Sequence, residues 1–324
     1  MLNERSEGLT VNKLKQYYRR NSSVIGVYLL LIALIVFFNG FIRLTPMHLL
    51  DLFRQAAPLG IASIGQTLTM LMGGIDLSMG AVVSLTNIVA CSLMLGNVQN
   101  IGFTLLIVVL ISFLIGGING LAISKVKIPP FLATLAISII IKGVSFVYTK
   151  GSPMGSIAQE FRFISEGWVG FIPISGIIWI IIWVIMGVFL FKTTTGLKFY
   201  STGGNPQASR LSGINTSRYT VLAYVLSSLL AAVAGLMISA YIGVTSSNVG
   251  DPYTLNTIAA ACIGGTTFLG GRGSINGTFA GVMVIFIIQA FMTMMNIPEA
   301  GKQLSLGIII VVMVALNQRM SFTK

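Results

Sequence analysis

Charge is scarce in this sequence: charged residues make up 9% of the 324, and only 8 of those are acidic. Soluble domains carry about a quarter. So little charge cannot hold a folded core of this size in water, and most of the surface must face lipid. Cysteine is nearly absent, and Cys91 and Cys262 both lie inside apolar runs, which speaks against a disulfide framework or a cysteine metal site. His48 is the single histidine. Without a second histidine, a nearby cysteine or a hydroxyl-rich elbow, neither a metal site nor a catalytic Ser-His arrangement can be assembled, and His48 is expected as a solvated loop residue near the outer face. No catalytic residue and no metal is expected. Nucleic acid is not an expected partner either, because the net charge of +12 is spread through short loops rather than gathered into a patch with interleaved aromatics.

What is abundant is apolar sequence, 55% of the chain, in runs too long and continuous for barrel strands. Inside lipid the backbone must satisfy itself, so the runs are read as helices. The expected fold is an all-α integral membrane protein of about ten transmembrane helices, some broken or re-entrant. The expected spans are 24–42, 53–73, 80–96, 103–124, 131–149, 171–191, 219–243, 254–270, 275–296 and 303–319. The second, third and eighth carry Gly, Ser, Thr and Gln, and the eighth need not cross completely. Residues 1–23 read as a polar, basic cytoplasmic tail rather than a cleaved leader, 24–319 as one transmembrane domain, and 320–324 as a cytoplasmic C-terminus. Placing both termini in the cytoplasm puts 14 Lys and Arg on the inner side and 5 on the outer, with Lys142 inside a span. That is the expected inside bias.

The longest inner loop after the tail, about 193–218, is patterned. Gly203-Gly204-Asn205 predicts a tight turn, Asn205 a cap, Pro206 a first helical residue, and Gly213 the stop of a short helix that ends about Leu211. A connection between spans needs only a few residues. A capped helix carrying Arg210 suggests a surface built to dock, its plainer alternative being a helix lying on lipid headgroups. Gly73-Gly74-Ile75-Asp76 ends one polar-flecked helix, and Gly264-Gly265-Thr266-Thr267 interrupts another in the second half. Breaks at matching places often mark a transport path. Asp76 is either a functional carboxylate or, with Ser78, a cap on the helix that follows. Lys142 either meets hydroxyls or a carboxylate, or snorkels to the interface. Gln66, Asn87, Asn119 and Gln289 are amides within spans, able to line a sugar path or to tie helices together. Gly116 with Gly120, and Gly277 with Gly281, are read as close-packing pairs. Gly265 to Arg272 lacks the Gly-Lys-Ser/Thr of a phosphate loop, so no nucleotide site and no cofactor are expected in this chain.

Four segments together resemble the permease subunits of ribose-type carbohydrate importers of the ATP-binding cassette class. They are Gly73 to Gly80; Lys142-Gly143 through Tyr148 to Pro153; Gly203-Gly204-Asn205 with Arg210 to Ile214; and Ile258-Ala259-Ala260 through Gly264-Gly265-Thr266, Gly270 to Gly273 and Gly277-Thr278. They keep order over about residues 50 to 315. The resemblance implies an inner-membrane pore formed with a second permease copy or paralogue, cytoplasmic ATP-binding subunits that hydrolyse the ATP, and an exported sugar-binding protein that delivers substrate. The loop from Gly203 to Ile214 becomes the ATPase-coupling segment, and Gln66, Asp76, Asn119, Lys142 and Gln289 become candidates for the substrate path. Relatives usually carry Arg at the place of Lys142 and Asn near Gln289. The expected substrate is a ribose-like pentose or related hexose, with a furanose-like signalling molecule or a polyol within the same family. A branched-chain amino-acid permease and an ion-coupled secondary transporter are the alternatives; an intramembrane enzyme lacks paired catalytic groups.

Overall fold

A computed structural model describes residues 24–40, 45–152 and 154–322. The expected N-terminal tail, the end of the first expected span and the last two residues of the chain fall outside the described residues. Thirteen α-helices run through the described part: α1 Val24–Gly40, α2 Pro46–Leu71, α3 Met79–Met94, α4 Ile101–Ser124, α5 Pro130–Thr149, α6 Phe163–Glu166, α7 Ile174–Lys192, α8 Thr194–Gly204, α9 Pro206–Leu211, α10 Thr216–Ile242, α11 Asp251–Ile263, α12 Ile275–Met294 and α13 Glu299–Phe322. One two-stranded hairpin pairs Trp168–Val169 with Ile172–Pro173. A helix occupies each of the ten expected spans. Five stretches are long and apolar enough to cross a membrane, namely Val98–Ser124 with α4, then α5, α7, α10 and α12; α1 and α3 are apolar but shorter.

Burial inverts the pattern of a soluble protein. In α4 and α7, among the most apolar helices, only 28% of the core window is buried, and 22% in α5. Their outward residues are bulky hydrocarbons such as Phe103, Leu106, Phe113, Leu114 and Ile139. By contrast α2, interrupted by Ser63, Gln66, Thr67 and Thr69, is buried at every position from Ala56 to Leu71. The polar-flecked helix is therefore the axis, and α10, 67% buried, packs beside it with α4, α3, α7, α11 and α12 around them. Hydrocarbon faces the lipid, and side chains that need partners face one another.

Small residues set the spacing at that axis. A Cβ on Gly116 would lie 2.6 Å from the Tyr224 carbonyl, and one on Gly120 2.6 Å from Val221 Cα, so α4 meets α10 backbone to backbone. On the other side of the axis, Gly277 and Gly281 of α12 face the carbonyls of Gly264 and Ala260 at 1.9 and 2.2 Å from such a Cβ. At Gly60 the side chain of Trp179 fills the space a Cβ would take, and the indole stacks on Phe53 and Phe279, with centroids 5.1 and 4.4 Å away. That aromatic wedge fixes α7 against α2 and α12.

Three local expectations need correction. In the eighth expected span, α11 stops at Ile263, so 264–270 is not helical; Gly264 and Gly265 end it, and Gly265, Gly270 and Gly271 take positive φ values that L side chains avoid. Gly203 and Gly204 form the last residues of α8 rather than a turn. His48 belongs to the first turn of α2, where its backbone N–H meets the capping hydroxyl of Thr45 at 3.3 Å, because Pro46 begins that helix earlier than the apolar run alone suggests.

Candidate functional site

The Gly73–Ser78 break turns Asp76 and Ser78 into the bundle, while Ile75 and Leu77 pack against the apolar cluster of Met70, Ile258 and Cys262. Asp76 is fully buried. Its Oδ1 accepts the Ser78 hydroxyl at 2.5 Å and the Ser78 N–H at 3.0 Å, and its Oδ2 accepts the Ser227 hydroxyl of α10 at 2.7 Å. Ser78 in turn accepts from the Asn119 amide of α4 at 2.9 Å. The Gln66 amide of α2 lies against the Asp76 backbone; assigned in the orientation that satisfies both groups, it donates to the Asp76 carbonyl at 3.1 Å and accepts from its N–H at 3.3 Å. Thr134 of α5 accepts from the Leu77 N–H at 3.0 Å. Through its carboxylate, its backbone and Ser78, Asp76 thus ties together α2, α3, α4 and α10, with α5 joined through Thr134; only Asn119 Oδ1 in this cluster is buried without a partner, and the satisfied bonds hold the parts rigidly. As for capping, Ser78 holds the N-cap place of α3 without a side-chain cap bond, and Asp76 serves that helix start from two residues upstream.

Gln66, Asp76 and Asn119 therefore come together, whereas Lys142 and Gln289 stand apart from them. Lys142 meets a carboxylate, one of the partners expected for it: its Nζ lies 2.7 Å from Asp251 Oδ1, in the first turn of α11, and both side chains remain about half exposed. α5 and α11 both pack on α3, which brings the two groups together. Gln289 borders a small cavity between α11, α12 and α13 with Lys302, Ser305 and Met292. Asn87 holds the segment after α10: it accepts from the Ser246 N–H at 2.6 Å and donates to the Val244 carbonyl at 3.3 Å and the Ser239 hydroxyl at 2.9 Å. Asp251 was not among the candidates read from the sequence, because it falls between the expected spans 219–243 and 254–270.

At one end of the bundle the α8–α9 corner is built as its sequence suggests from Asn205 onward. Thr193 caps α8 through the Gly196 N–H at 3.1 Å, Asn205 caps α9 through the Ala208 N–H at 2.9 Å, and Pro206 opens α9. Gly213, at φ +79°, lets the chain leave the helix. Arg210 reaches back to Thr216 of α10 at 3.0 Å, while Leu211 projects with 91% of its surface exposed. The same corner touches both breaks. A Cβ on Gly203 would fall 1.7 Å from the Leu71 carbonyl, and one on Gly270 would meet the Gly203 carbonyl at 2.6 Å and Gly73 N at 2.8 Å. The Gly271 N–H donates to the Leu71 carbonyl at 2.9 Å. Three stretches of bare main chain meet there.

The amino-acid sequence matches known proteins over nearly the full chain. A family model described as the branched-chain amino acid transport system permease component matches residues 48–315. The chain belongs to this permease family. The ribose import permease protein RbsC of Bacillus subtilis is 33% identical over 299 residues, covering 92% of each chain. RbsC of Haemophilus influenzae is 32% identical, covering 86% of this chain and 87% of its own. The galactose/methyl galactoside import permease protein MglC of Escherichia coli K12 is 30% identical over 93% of this chain and 94% of its own. No solved structure matches. This permease is accordingly a multi-pass membrane protein, and its relatives are transport subunits rather than enzymes.

Proposed function

We propose that the chain is the inner-membrane permease subunit of an ATP-driven, binding-protein-dependent importer of a small sugar, a ribose-like pentose before a related hexose. The names of its relatives, ribose and galactose/methyl galactoside import permeases, support the substrate class over the branched-chain amino acids in the family description. On this reading about ten helices cross the membrane with both termini cytoplasmic, as the inside excess of Lys and Arg supports. Residues 24–319 are the membrane domain, between the cytoplasmic tail 1–23 and the C-terminal 320–324. ATP is hydrolysed by a partner subunit, a second permease copy or paralogue completes the pore, and an exported sugar-binding protein supplies the substrate.

One observation carries the borrowed-power part of this reading: the α8–α9 corner is stiff, exposed at Leu211, and in main-chain contact with both helix breaks. A rigid element of this kind passes a rigid-body displacement onward, whereas a flexible loop absorbs it. Residues 193–218 therefore form the coupling segment, with Gly203, Gly204, Asn205 and Gly213 shaping it and Arg210 and Leu211 nearest the partner. Gln66, Asp76 and Asn119 support the pathway by holding the first break in place.

The test is uptake of labelled D-ribose into liposomes that hold the permease with its ATPase and binding protein. Accumulation is expected only with ATP inside the ATPase compartment. Accumulation by the permease alone, driven by an ion gradient, would sink the proposal. Leu211→Glu and Arg210→Glu are expected to weaken ATPase association about tenfold with the membrane domain intact; unchanged association and uptake would remove the coupling role.

A further inference from the structure

After α10 the chain does not stay at the rim of the bundle. Asn87 holds Val244 and Ser246, and then the Gly250 N–H donates to the Ser84 hydroxyl at 2.9 Å. At 1.5 Å per residue, Asn87 and Ser84 lie about 11 and about 15 Å down α3 from its Met94 end. The segment 244–250 therefore descends along α3, and Gly250 packs so tightly on Gly80 that a Cβ on it would lie 2.0 Å from the Gly80 carbonyl. α11 begins at Asp251 within the bundle. Lys142 agrees in depth, being about 18 Å along α5 from Pro130 and about 10 Å short of Thr149.

Here four polar side chains are open to the outside. Lys142 and Asp251 are 53% and 44% exposed in their ion pair, and Ser247 and Asn248 are exposed beside them. A charge at this depth costs at least about 2.5–3.5 kcal/mol against hydrocarbon. The face of α4 that meets lipid shows what such a surface otherwise carries, namely Phe103, Leu106, Leu110, Phe113 and Leu114. Two charges, an amide and a hydroxyl gathered at one level belong against water.

Resting on the sugar-import reading, we propose that Lys142 and Asp251, with Ser247 and Asn248, line the aqueous passage at mid-depth and hold the passing sugar by its hydroxyls. A carboxylate accepts from two neighbouring hydroxyls and an ammonium donates to a third, and charge-assisted bonds are about twice as strong as neutral ones. The paired charges sum to zero, which suits an uncharged ligand and offers little to an ion. Each bond replaces one to water, so the sugar is held briefly and released.

The test uses the assembled transporter with Cys91 and Cys262 replaced by serine. Asn248→Cys is expected to react with a charged, membrane-impermeant thiol reagent at least tenfold faster than Phe113→Cys, and more slowly once ribose-loaded binding protein and ATP are supplied. Equal reactivity of the two would place the cluster in lipid and overturn the proposal, as would an absence of protection. Asp251→Asn is expected to raise KM for D-ribose about tenfold while the maximal rate falls less than threefold. The exchange Lys142→Asp with Asp251→Lys restores the tie between α5 and α11; its KM is expected to stay raised, and full recovery would reduce the pair to a structural clasp. If the unaltered transporter moves no sugar, the functional reading fails, while the thiol comparison still decides whether the cluster faces water.

Discussion

Two aspartates stand at helix starts in this bundle, Asp76 just ahead of α3 and Asp251 in the first turn of α11, and their exposure and partners differ. Asp76 precedes α3, is sealed from solvent and has both oxygens satisfied by hydroxyls and a backbone N–H. Asp251 opens α11, is about half exposed and is paired with Lys142. Both sit beside glycines that let main chains touch. The comparison teaches that a charged residue at membrane depth is not one kind of signal. Partnered on all sides it is a pin, and left open at one side it is a surface for something that passes.

The largest expected effect tests the pin. Asp76→Ala strands the Ser78 and Ser227 hydroxyls and the Ser78 N–H, at about 1–3 kcal/mol for each buried group left unpaired. Little folded, detergent-stable protein is expected in a size-exclusion and thermal-melt assay, whereas Asp251→Ala is expected to fold and to take up D-ribose with a raised KM. Equal stability of the two would erase the distinction. Gly203→Ala comes next: its Cβ has only backbone to collide with, the Leu71 carbonyl at 1.7 Å, so the α8–α9 corner must shift. ATP hydrolysed per sugar imported is expected to rise severalfold. Ser227→Ala removes one of the three bonds to Asp76 and is expected to lower the melting temperature by a few degrees, in keeping with about 1 kcal/mol for a net hydrogen bond. Gly204→Ala is the smallest. The nearest atom to its Cβ is Gly271 Cα at 3.9 Å, so near-normal uptake is expected, and a loss as large as that of Gly203→Ala would mean that space is not what the glycines supply.

The ten helical segments were legible because continuous hydrocarbon has few other homes. α9 was legible to the residue from Asn205, Pro206 and Gly213, since caps and stops are written in neighbouring residues. The end of α11 was not, because Phe268 and Leu269 keep 264–270 apolar although its glycines have left the helix. Nor was the convergence on Asp76: nothing near Ser227 or Asn119 in sequence announces a partner on another helix. The Lys142–Asp251 pair was hidden for the same reason, and also because residues 244–250 fall between two expected spans yet pack along α3. A carboxylate directly before Pro252, just ahead of an apolar helix, was the available clue that a helix starts there. Gly203 was noticed as a turn former when its true duty is to be thin.

That thinness at the meeting of Leu71, Gly203 and Gly270 has an evolutionary corollary. Where side chains touch, a damaging change in one can be answered by trimming its neighbour. Here there is nothing left to trim, since each participant is already peptide backbone. A search for second-site suppressors of Gly203→Ala should come back without any at Leu71, Gly73, Gly270 or Gly271, and recover instead changes that relocate the whole corner or the subunit docked beneath it.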